Sequence, residues 1–111
     1  MPFKQAPYIA LPPATFMAQY SADTQAVLLD VRTHSEYTEN HLPNALLIDI
    51  KQNSFVDELN ELDKTLPYYV YCRVGVRSAN ACQTMRLLGF TGNLYNLQGG
   101  INALPANLST F

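Results

Sequence analysis

Charge is scarce in this chain of 111 residues. Lys, Arg, Asp and Glu together make up 14% of the residues, and the formal net charge at pH 7 is only −2. Proteins that bind nucleic acid or anionic membranes usually carry a basic excess, which this sequence lacks. We therefore expect neither a nucleic-acid partner nor a membrane partner, and we expect any functional positive charge to be local.

Long apolar runs, a signal-like segment and abundant cysteine are missing as well. No apolar run approaches the ~20 residues of a membrane-spanning helix, and residues 1–7 contain no apolar core of a secretory signal. The two cysteines, Cys72 and Cys82, would close only a very short loop if they were bridged. Reduced thiols and a cytoplasmic location are therefore expected.

The composition and the order of the predicted elements indicate one α/β domain. Apolar residues make up 48% of the chain, and its length suits a single domain spanning residues 1–111. Predicted strands cover residues 8–11, 26–31, 45–50, 67–72 and 93–97, and predicted helices cover residues 13–20, 33–39, 54–62 and 77–89, before a final helical turn at 101–104. Because strands and helices alternate, we expect a mainly parallel sheet of about five strands with helices on both faces.

A single cysteine stands between an apolar run and a basic loop. Residues 68–71 are β-like, Cys72 follows them, Gly75 lies in the middle of the short loop, and Arg73 and Arg77 are two of the seven basic residues. A strand, a turn and a helix N-terminus in this order form an anion site and favour the thiolate of Cys72, which is the nucleophilic form. The alternative is a buried cysteine that acts as a small apolar side chain, but it leaves the two arginines without a counter-anion.

Four parts of the sequence, in order, carry a resemblance to a known family. They are LDVR at residues 29–32 with EY at 36–37, HLPNA at 41–45, CRVGVRS at 72–78 and LQGGI at 97–101. On these motifs, which cover almost the whole chain, the sequence resembles a single-domain rhodanese, a sulfurtransferase. The resemblance implies a rhodanese-like three-layer sandwich, which agrees with the alternating elements, and no cofactor is expected.

The resemblance also implies a role for each residue of the loop. Cys72 would attack the outer sulfur of thiosulfate or another anionic sulfane-sulfur donor and become a persulfide. Cyanide, a small-molecule thiol or a protein thiol would then accept the outer sulfur. Arg73 and Arg77 would hold the donor, and the backbone N–H groups of residues 74–77 would stabilise the persulfide. Ser78 would cap the following helix and donate a hydrogen bond to the sulfur. The residues expected to bind the substrate are Arg73, Val74, Gly75, Val76, Arg77 and Ser78. The protein is expected to be a monomer.

A second group of residues is expected to support the loop. In the resembled family an arginine and a glutamate form a structural ion pair beneath it, and the corresponding residues here are Arg32 and Glu36, close to Asp30. Ligands of open parallel sheets bind at the carboxyl ends of the strands, so the strand ends at Asp30 and Cys72 are expected to form one shallow pocket. Thr33 and Glu36 also fit the Thr-x-x-Glu capping box of a helix start.

The remaining histidines and the second cysteine are assigned no chemistry. His34 and His41 lie seven residues apart with no partner at metal-ligand spacing, so they are interpreted as turn and surface residues, and no metal is expected. Cys82 is expected to face the core. A packed helix would keep it from reaching Cys72 as a resolving thiol.

Two other functions fit parts of the sequence. Phosphatases and arsenate reductases of related folds also grip oxyanions with a cysteine loop that ends in arginine, but their loop has one residue more than the four between Cys72 and Arg77. A non-catalytic binding module of the same fold usually lacks the cysteine, which is present here. Sulfur transfer is therefore favoured, and the apolar side chains of Val74 and Val76 further predict a donor with an organic portion.

Overall fold

Strands and helices alternate along residues 7–105, the part of the chain that the computed structural model describes. None of the helices within these residues is long and apolar enough to cross a bilayer. In chain order the elements are β1 (Ile9–Leu11), α1 (Pro13–Ala22), β2 (Val27–Asp30), α2 (His34–Glu39), β3 (Leu46–Leu47), α3 (Phe55–Asn60), β4 (Tyr68–Tyr71), α4 (Val76–Leu87), β5 (Leu94–Leu97) and a 3₁₀ turn (Ile101–Ala103).

The strands form one parallel sheet in the order β1-β5-β4-β2-β3. In the register of β2 and β4, Asp30 lies opposite Tyr71, so both strands end at the same edge. Cys72 follows Tyr71 directly, and Val31 and Arg32 follow Asp30. The expected α/β fold with a mainly parallel sheet is confirmed, and its central strand is the one that leads to the cysteine.

Each face of the sheet packs against its own helices. Along β4, Tyr68 and Val70 belong to one buried cluster and Tyr69 and Tyr71 to another, because successive side chains of a strand point to opposite faces. The first cluster contains residues of α3 and α4, namely Phe55, Leu59, Ala81, Cys82 and Met85. The second contains Phe16 of α1 together with Leu42, Leu97, Ile101 and Leu104. The sheet is therefore the middle layer of three.

The capping box at the start of α2 is confirmed. The hydroxyl oxygen of Thr33 accepts a hydrogen bond from the Glu36 backbone N–H at 3.3 Å, and the Glu36 carboxylate accepts one from the Thr33 N–H at 3.0 Å. These reciprocal bonds satisfy donors that a helix start leaves without partners. They also fix the position of the Glu36 carboxylate, which bonds to Arg73 and Arg77 beyond the end of β4.

The strand predicted at residues 45–50 is much shorter than expected. Only Leu46 and Leu47 form β3, an edge strand whose single neighbour is β2, and Leu46 is exposed. Beyond β3, the Ile48 amide still donates to the Asp30 carbonyl at 2.9 Å, and the Ile50 amide donates to the Val31 carbonyl at 3.2 Å. An apolar run cannot by itself distinguish a full strand from an edge segment that soon turns away.

Two helix starts also differ from the prediction. Ser54 precedes α3 but makes no side-chain cap, since its hydroxyl bonds to the Glu58 carboxylate. Helix α4 begins at Val76, before the predicted residues 77 or 78, and its N-cap is Gly75. Ser78 is therefore the third residue of α4 and does not cap it, which leaves its hydroxyl for another partner.

Candidate active site

A left-handed glycine turns the chain from β4 into α4 around the sulfur of Cys72. Gly75 has φ of +101°, a conformation that residues with a Cβ rarely adopt. A Cβ at this position would also come within 3.3 Å of the Gly99 nitrogen and 3.4 Å of the Leu97 carbonyl oxygen. The tight turn aims the first amides of α4 back at the end of β4, and Cys72 itself has no exposed surface.

Three hydrogen-bond donors converge on Cys72 Sγ. They are the Gly75 N–H at 3.1 Å, the Ser78 N–H at 3.3 Å and the Ser78 hydroxyl at 3.3 Å, whose single proton is shared between the sulfur and Asn96 Oδ1. Gly75 belongs to the set of amides expected from the sequence, whereas the Ser78 amide lies one residue beyond it. Donors of this kind stabilise negative charge on the atom to which they point. The burial of Cys72 is therefore not that of an inert apolar side chain.

Asn96 completes this arrangement, and the sequence analysis missed it. This buried residue of β5 accepts a hydrogen bond from the Ser78 hydroxyl through Oδ1, and its Nδ2 donates to the Gly75 carbonyl at 3.2 Å. Both Ser78 and Gly75 contact the sulfur, so Asn96 fixes two of its neighbours at once. The available signal was a polar residue between Tyr95 and Leu97, in a short strand that is otherwise hydrophobic or aromatic.

A turn after β5 holds the loop from behind. The Ile101 N–H donates to the Cys72 carbonyl at 2.9 Å, and the Asn102 N–H donates to the Arg73 carbonyl at 3.1 Å. Gly100 lies so close to this backbone that an added Cβ would be 2.2 Å from the Arg73 carbonyl oxygen. The absence of a side chain at Gly100 therefore allows the turn to approach the loop closely.

Glu36 binds both arginines of the loop. Its carboxylate accepts from Arg77 Nη1 at 2.7 Å, from Arg77 Nη2 at 3.0 Å and from Arg73 Nε at 3.2 Å. The forked bond from Arg77, followed by the Thr33 amide and Arg73, lowers the pKa of Glu36 far below its usual range, although burial opposes the shift. The same contact raises the pKa of Arg77. Glu36 therefore stays ionised and is part of the site itself.

The prediction of an ion pair between Arg32 and Glu36 is wrong. Arg32 instead forks onto Asp30, with Nη2 2.7 Å from Oδ2 and Nε 2.9 Å from Oδ1, and its Nη2 also donates to the Asn40 carbonyl at 2.7 Å. Asp30 and Arg32 both lie at the end of β2, so the local partner is closer than a carboxylate on α2. This buried pair lies next to Tyr71, whose pKa is raised by burial and by the Asp30 charge.

A cavity of about 350 Å³ opens beside the loop at the carboxyl edge of the sheet. The cavity lies at the edge where a pocket was expected, but neither Asp30 nor Cys72 is part of its wall. Its lining residues are Arg32, Glu36, Glu39, Asn40, Arg73, Ile101, Asn102 and Leu104. Val74 and Val76 lie outside it, on the exposed surface of the loop.

The remaining thiol and the two histidines are not among the residues that line the cavity. Cys82 is buried on α4, and burial raises the pKa of its thiol to about 12, so it is a poor nucleophile near neutral pH. His34 is exposed, and the His41 ring stacks on Tyr37 with centroids 3.7 Å apart. Within residues 7–105, no group of three or more His, Cys, Asp and Glu side chains is arranged to hold a metal ion.

The comparison with protein families decides how this arrangement is classified. A family model described as a rhodanese-like domain matches residues 13–106. The chain belongs to the rhodanese-like domain family. The rhodanese-like chain is 36% identical over 88 residues to a protein of Allochromatium vinosum named sulfurtransferase, which is 78% of this chain and 79% of that protein.

Other relatives show that this domain occurs in different settings. The rhodanese-like chain is 38% identical over 85 residues to the tRNA uridine(34) hydroxylase of Erwinia tasmaniensis, but this match spans only 23% of that longer protein. Among solved structures, the crystal structure of a rhodanese-like domain protein from Staphylococcus aureus has a TM-score of 0.78 and 27% identity, over 91% of this chain and 95% of that chain. The rhodanese fold is therefore shared over nearly the full length.

Proposed function

We propose that this rhodanese-like protein is a sulfurtransferase that carries sulfane sulfur as a persulfide on Cys72. The observation that carries this proposal is the convergence of the Gly75 N–H, the Ser78 N–H and the Ser78 hydroxyl on one sulfur atom. A sulfur surrounded by donors is stabilised as an anion, and both the thiolate and the persulfide are anions. The sulfurtransferase name of the Allochromatium vinosum relative supports the same reaction class.

The reaction has two steps, and each conserves charge. The Cys72 thiolate attacks the outer sulfur of thiosulfate, the bond between the two donor sulfurs breaks, and sulfite leaves with the electron pair. Cyanide or an acceptor thiolate then attacks the outer sulfur of the persulfide and leaves Cys72 as the thiolate again. The first-turn N–H groups of Val76 and Arg77, which no carbonyl of the helix can satisfy, are suited to the outer sulfur of the persulfide.

The closed loop sets a condition on how a donor enters. Cys72 has no exposed surface, whereas the side chain of Arg73 is 55% exposed and that of Arg77 is 25% exposed. A donor can therefore meet the two arginines first and reach the sulfur when the side chains of the loop move aside. Entry near Arg73 also places the donor at the mouth of the neighbouring cavity.

Phosphatase or arsenate reductase activity fits the geometry less well. In those reactions the loop amides must surround the oxygens of a bound oxyanion. In this protein the Gly75 and Ser78 amides bond to the sulfur itself, at 3.1 and 3.3 Å. The loop is thus filled by the cysteine, in keeping with its four residues between Cys72 and Arg77.

The wider setting is inferred along with the reaction. We infer a single domain that acts as a monomer in the cytoplasm, takes sulfur from a small anionic donor and passes it to a thiol or a protein acceptor. Two unbridged cysteines support a reducing compartment. Size-exclusion chromatography with light scattering tests the monomer, and a dimer mass would contradict it.

Intact-mass spectrometry tests the proposed reaction. After incubation with thiosulfate or an alkyl thiosulfonate, the protein should gain the mass of one sulfur atom and lose it again when cyanide is added. Cys72→Ser should show no gain, whereas Cys82→Ser, which changes the buried second thiol, should gain sulfur as the wild type does. Phosphate release from an aryl phosphate without any sulfur gain would support the phosphatase reaction instead. If neither signal appeared, a binding module would remain.

A further inference from the structure

Glu36 neutralises half of the positive charge of the active loop. Its carboxylate bonds to both Arg73 and Arg77, at 2.7 to 3.2 Å, so two cations and one anion leave a single positive charge at the mouth of the loop. Only 13% of the Glu36 side chain is exposed, which limits screening by water. The arginines that were expected to receive an anionic donor are thus already sharing an internal anion.

Among the described residues that line the cavity, no other side chain restores the lost charge. Arg32 also lines the cavity, but it is forked onto the buried Asp30 carboxylate and the two cancel. Glu39 is exposed on the cavity wall and adds a further negative charge. The N-terminus of α4 contributes only about half a positive charge. The Cys72 thiolate that must be reached carries a negative charge of its own, so the charges at this edge sum to a small negative value. A donor with two negative charges therefore meets more repulsion than a donor with one.

Two of the exposed side chains of the loop are apolar. Val74 is 54% exposed and Val76 is 64% exposed, and they flank Gly75, whose amide bonds to Cys72 Sγ. Isolated exposed valines are common on protein surfaces. These two flank the glycine whose amide bonds to the sulfur, so an organic substituent on a donor at the sulfur would cover them.

We propose that Glu36 sets the donor class of this site, which selects organic sulfane-sulfur donors carrying one negative charge, such as thiosulfonates and persulfides, over the dianion thiosulfate. This inference rests on the proposed sulfur transfer. The Cys72 thiolate attacks the terminal sulfur of the thiosulfonate, the bond between the two sulfurs of the donor breaks, and the sulfinate leaves with the electron pair. Atoms and charge balance, and no oxidant or reductant is needed.

The ratio of kcat/KM for methanethiosulfonate to kcat/KM for thiosulfate, with cyanide as the acceptor, tests this inference. The wild type should favour the thiosulfonate by about tenfold or more, since one unit of charge at a few ångströms corresponds to roughly that factor even with strong screening. Glu36→Gln should lower the ratio by several-fold, mainly through a lower KM for thiosulfate. Glutamine also fits the capping box, so the start of α2 should be retained.

Glu61→Gln is the matched control. It removes the same charge from an exposed residue that directly follows α3. Glu61 comes before the amino end of β4, whereas Cys72 follows the carboxyl end of β4. The ratio should stay at the wild-type value in this variant. Wild-type preference for thiosulfate would overturn the inference without any variant, and so would a ratio that is the same in Glu36→Gln and the wild type. If neither donor added sulfur to Cys72, the proposed function itself would fail, which intact mass distinguishes from a failure of selectivity alone.

Discussion

A single hydroxyl proton of Ser78 has two acceptors, the sulfur of Cys72 and the side-chain oxygen of Asn96. Ser78 Oγ lies 3.3 Å from Cys72 Sγ and also bonds to Asn96 Oδ1. The side-chain amide of Asn96 cannot rotate by 180° without losing a hydrogen bond, because its Nδ2 donates to the Gly75 carbonyl at 3.2 Å. Asn96 therefore holds the hydroxyl in position while the site is at rest, and the proton can turn to the sulfur when negative charge builds there. We expect Asn96 to act through Ser78.

A double-mutant cycle tests this dependence. Ser78→Ala and Asn96→Leu should each lower kcat/KM for sulfur transfer by about tenfold, which is the usual effect of losing one hydrogen bond to a charged atom. The double variant should be no slower than the slower single variant, because the asparagine has nothing to position once the hydroxyl is gone. Losses that multiply would show that Asn96 contributes independently, through packing or through Gly75. Melting temperatures of all variants separate loss of fold from loss of rate.

At the scale of elements, the active loop is fixed between α4 and the turn that follows β5. The turn donates two backbone hydrogen bonds to the Cys72 and Arg73 carbonyls. Gly100 makes this contact possible, since it has φ of +70° and lies against the Arg73 backbone. The loop conformation is therefore set by an element that lies more than twenty residues later in the chain.

Gly100→Ala should displace the loop. Its Cβ would lie 2.2 Å from the Arg73 carbonyl oxygen and 2.5 Å from the Val74 nitrogen, so the backbone beside Cys72 must shift. We expect sulfur transfer to fall at least tenfold and the melting temperature to drop. Gly89→Ala is the matched control, because Gly89 also has positive φ, of +96°, but a Cβ there meets nothing within 4 Å. It should cost about 1 kcal/mol of stability and leave the rate unchanged. Equal rates in the two variants would contradict the role of the turn.

The sequence predicts where the strands and helices lie better than it predicts which residues contact one another in the fold. Alternating patterns are local, so the order of strands and helices, the capping box at Thr33 and the position of Cys72 at the end of a strand could all be predicted. The length of β3 could not, since it depends on how far β2 offers a partner. The partner of Glu36 and the contribution of Asn96 depend on which elements become neighbours across the sheet. A resemblance assigned Glu36 to Arg32, whereas the fold pairs it with the loop.

For the molecule as a whole, the charged interactions gather at one edge of the sheet. Two carboxylates of this edge, Asp30 and Glu36, pair with arginine, and the three ion pairs found within residues 7–105 all lie here. The folded state thus depends on ionised carboxylates at the same place where we propose that an anionic donor binds. Acid should loosen the site and the fold together.

The acid sensitivity of the fold should change in Glu36→Gln. Arg77 lowers the pKa of Glu36 in the folded protein, so this carboxylate contributes stability that is complete above about pH 5 to 6 and is lost as the pH falls through its ordinary value near 4.3 toward the lower folded value. The melting temperature of the wild type should therefore fall more steeply between about pH 6 and pH 3 than that of the variant. Parallel curves of melting temperature against pH would mean that the pairing adds no stability.

Localisation of the transferred sulfur tests the central claim most directly. The protein is treated with an alkyl thiosulfonate, free thiols are blocked, and the digested peptides are identified by mass spectrometry. We predict that the peptide containing Cys72 carries one extra sulfur atom, that the peptide containing Cys82 carries none, and that cyanide removes the added sulfur as thiocyanate. An unmodified Cys72 peptide, or sulfur found on Cys82 instead, would contradict the account.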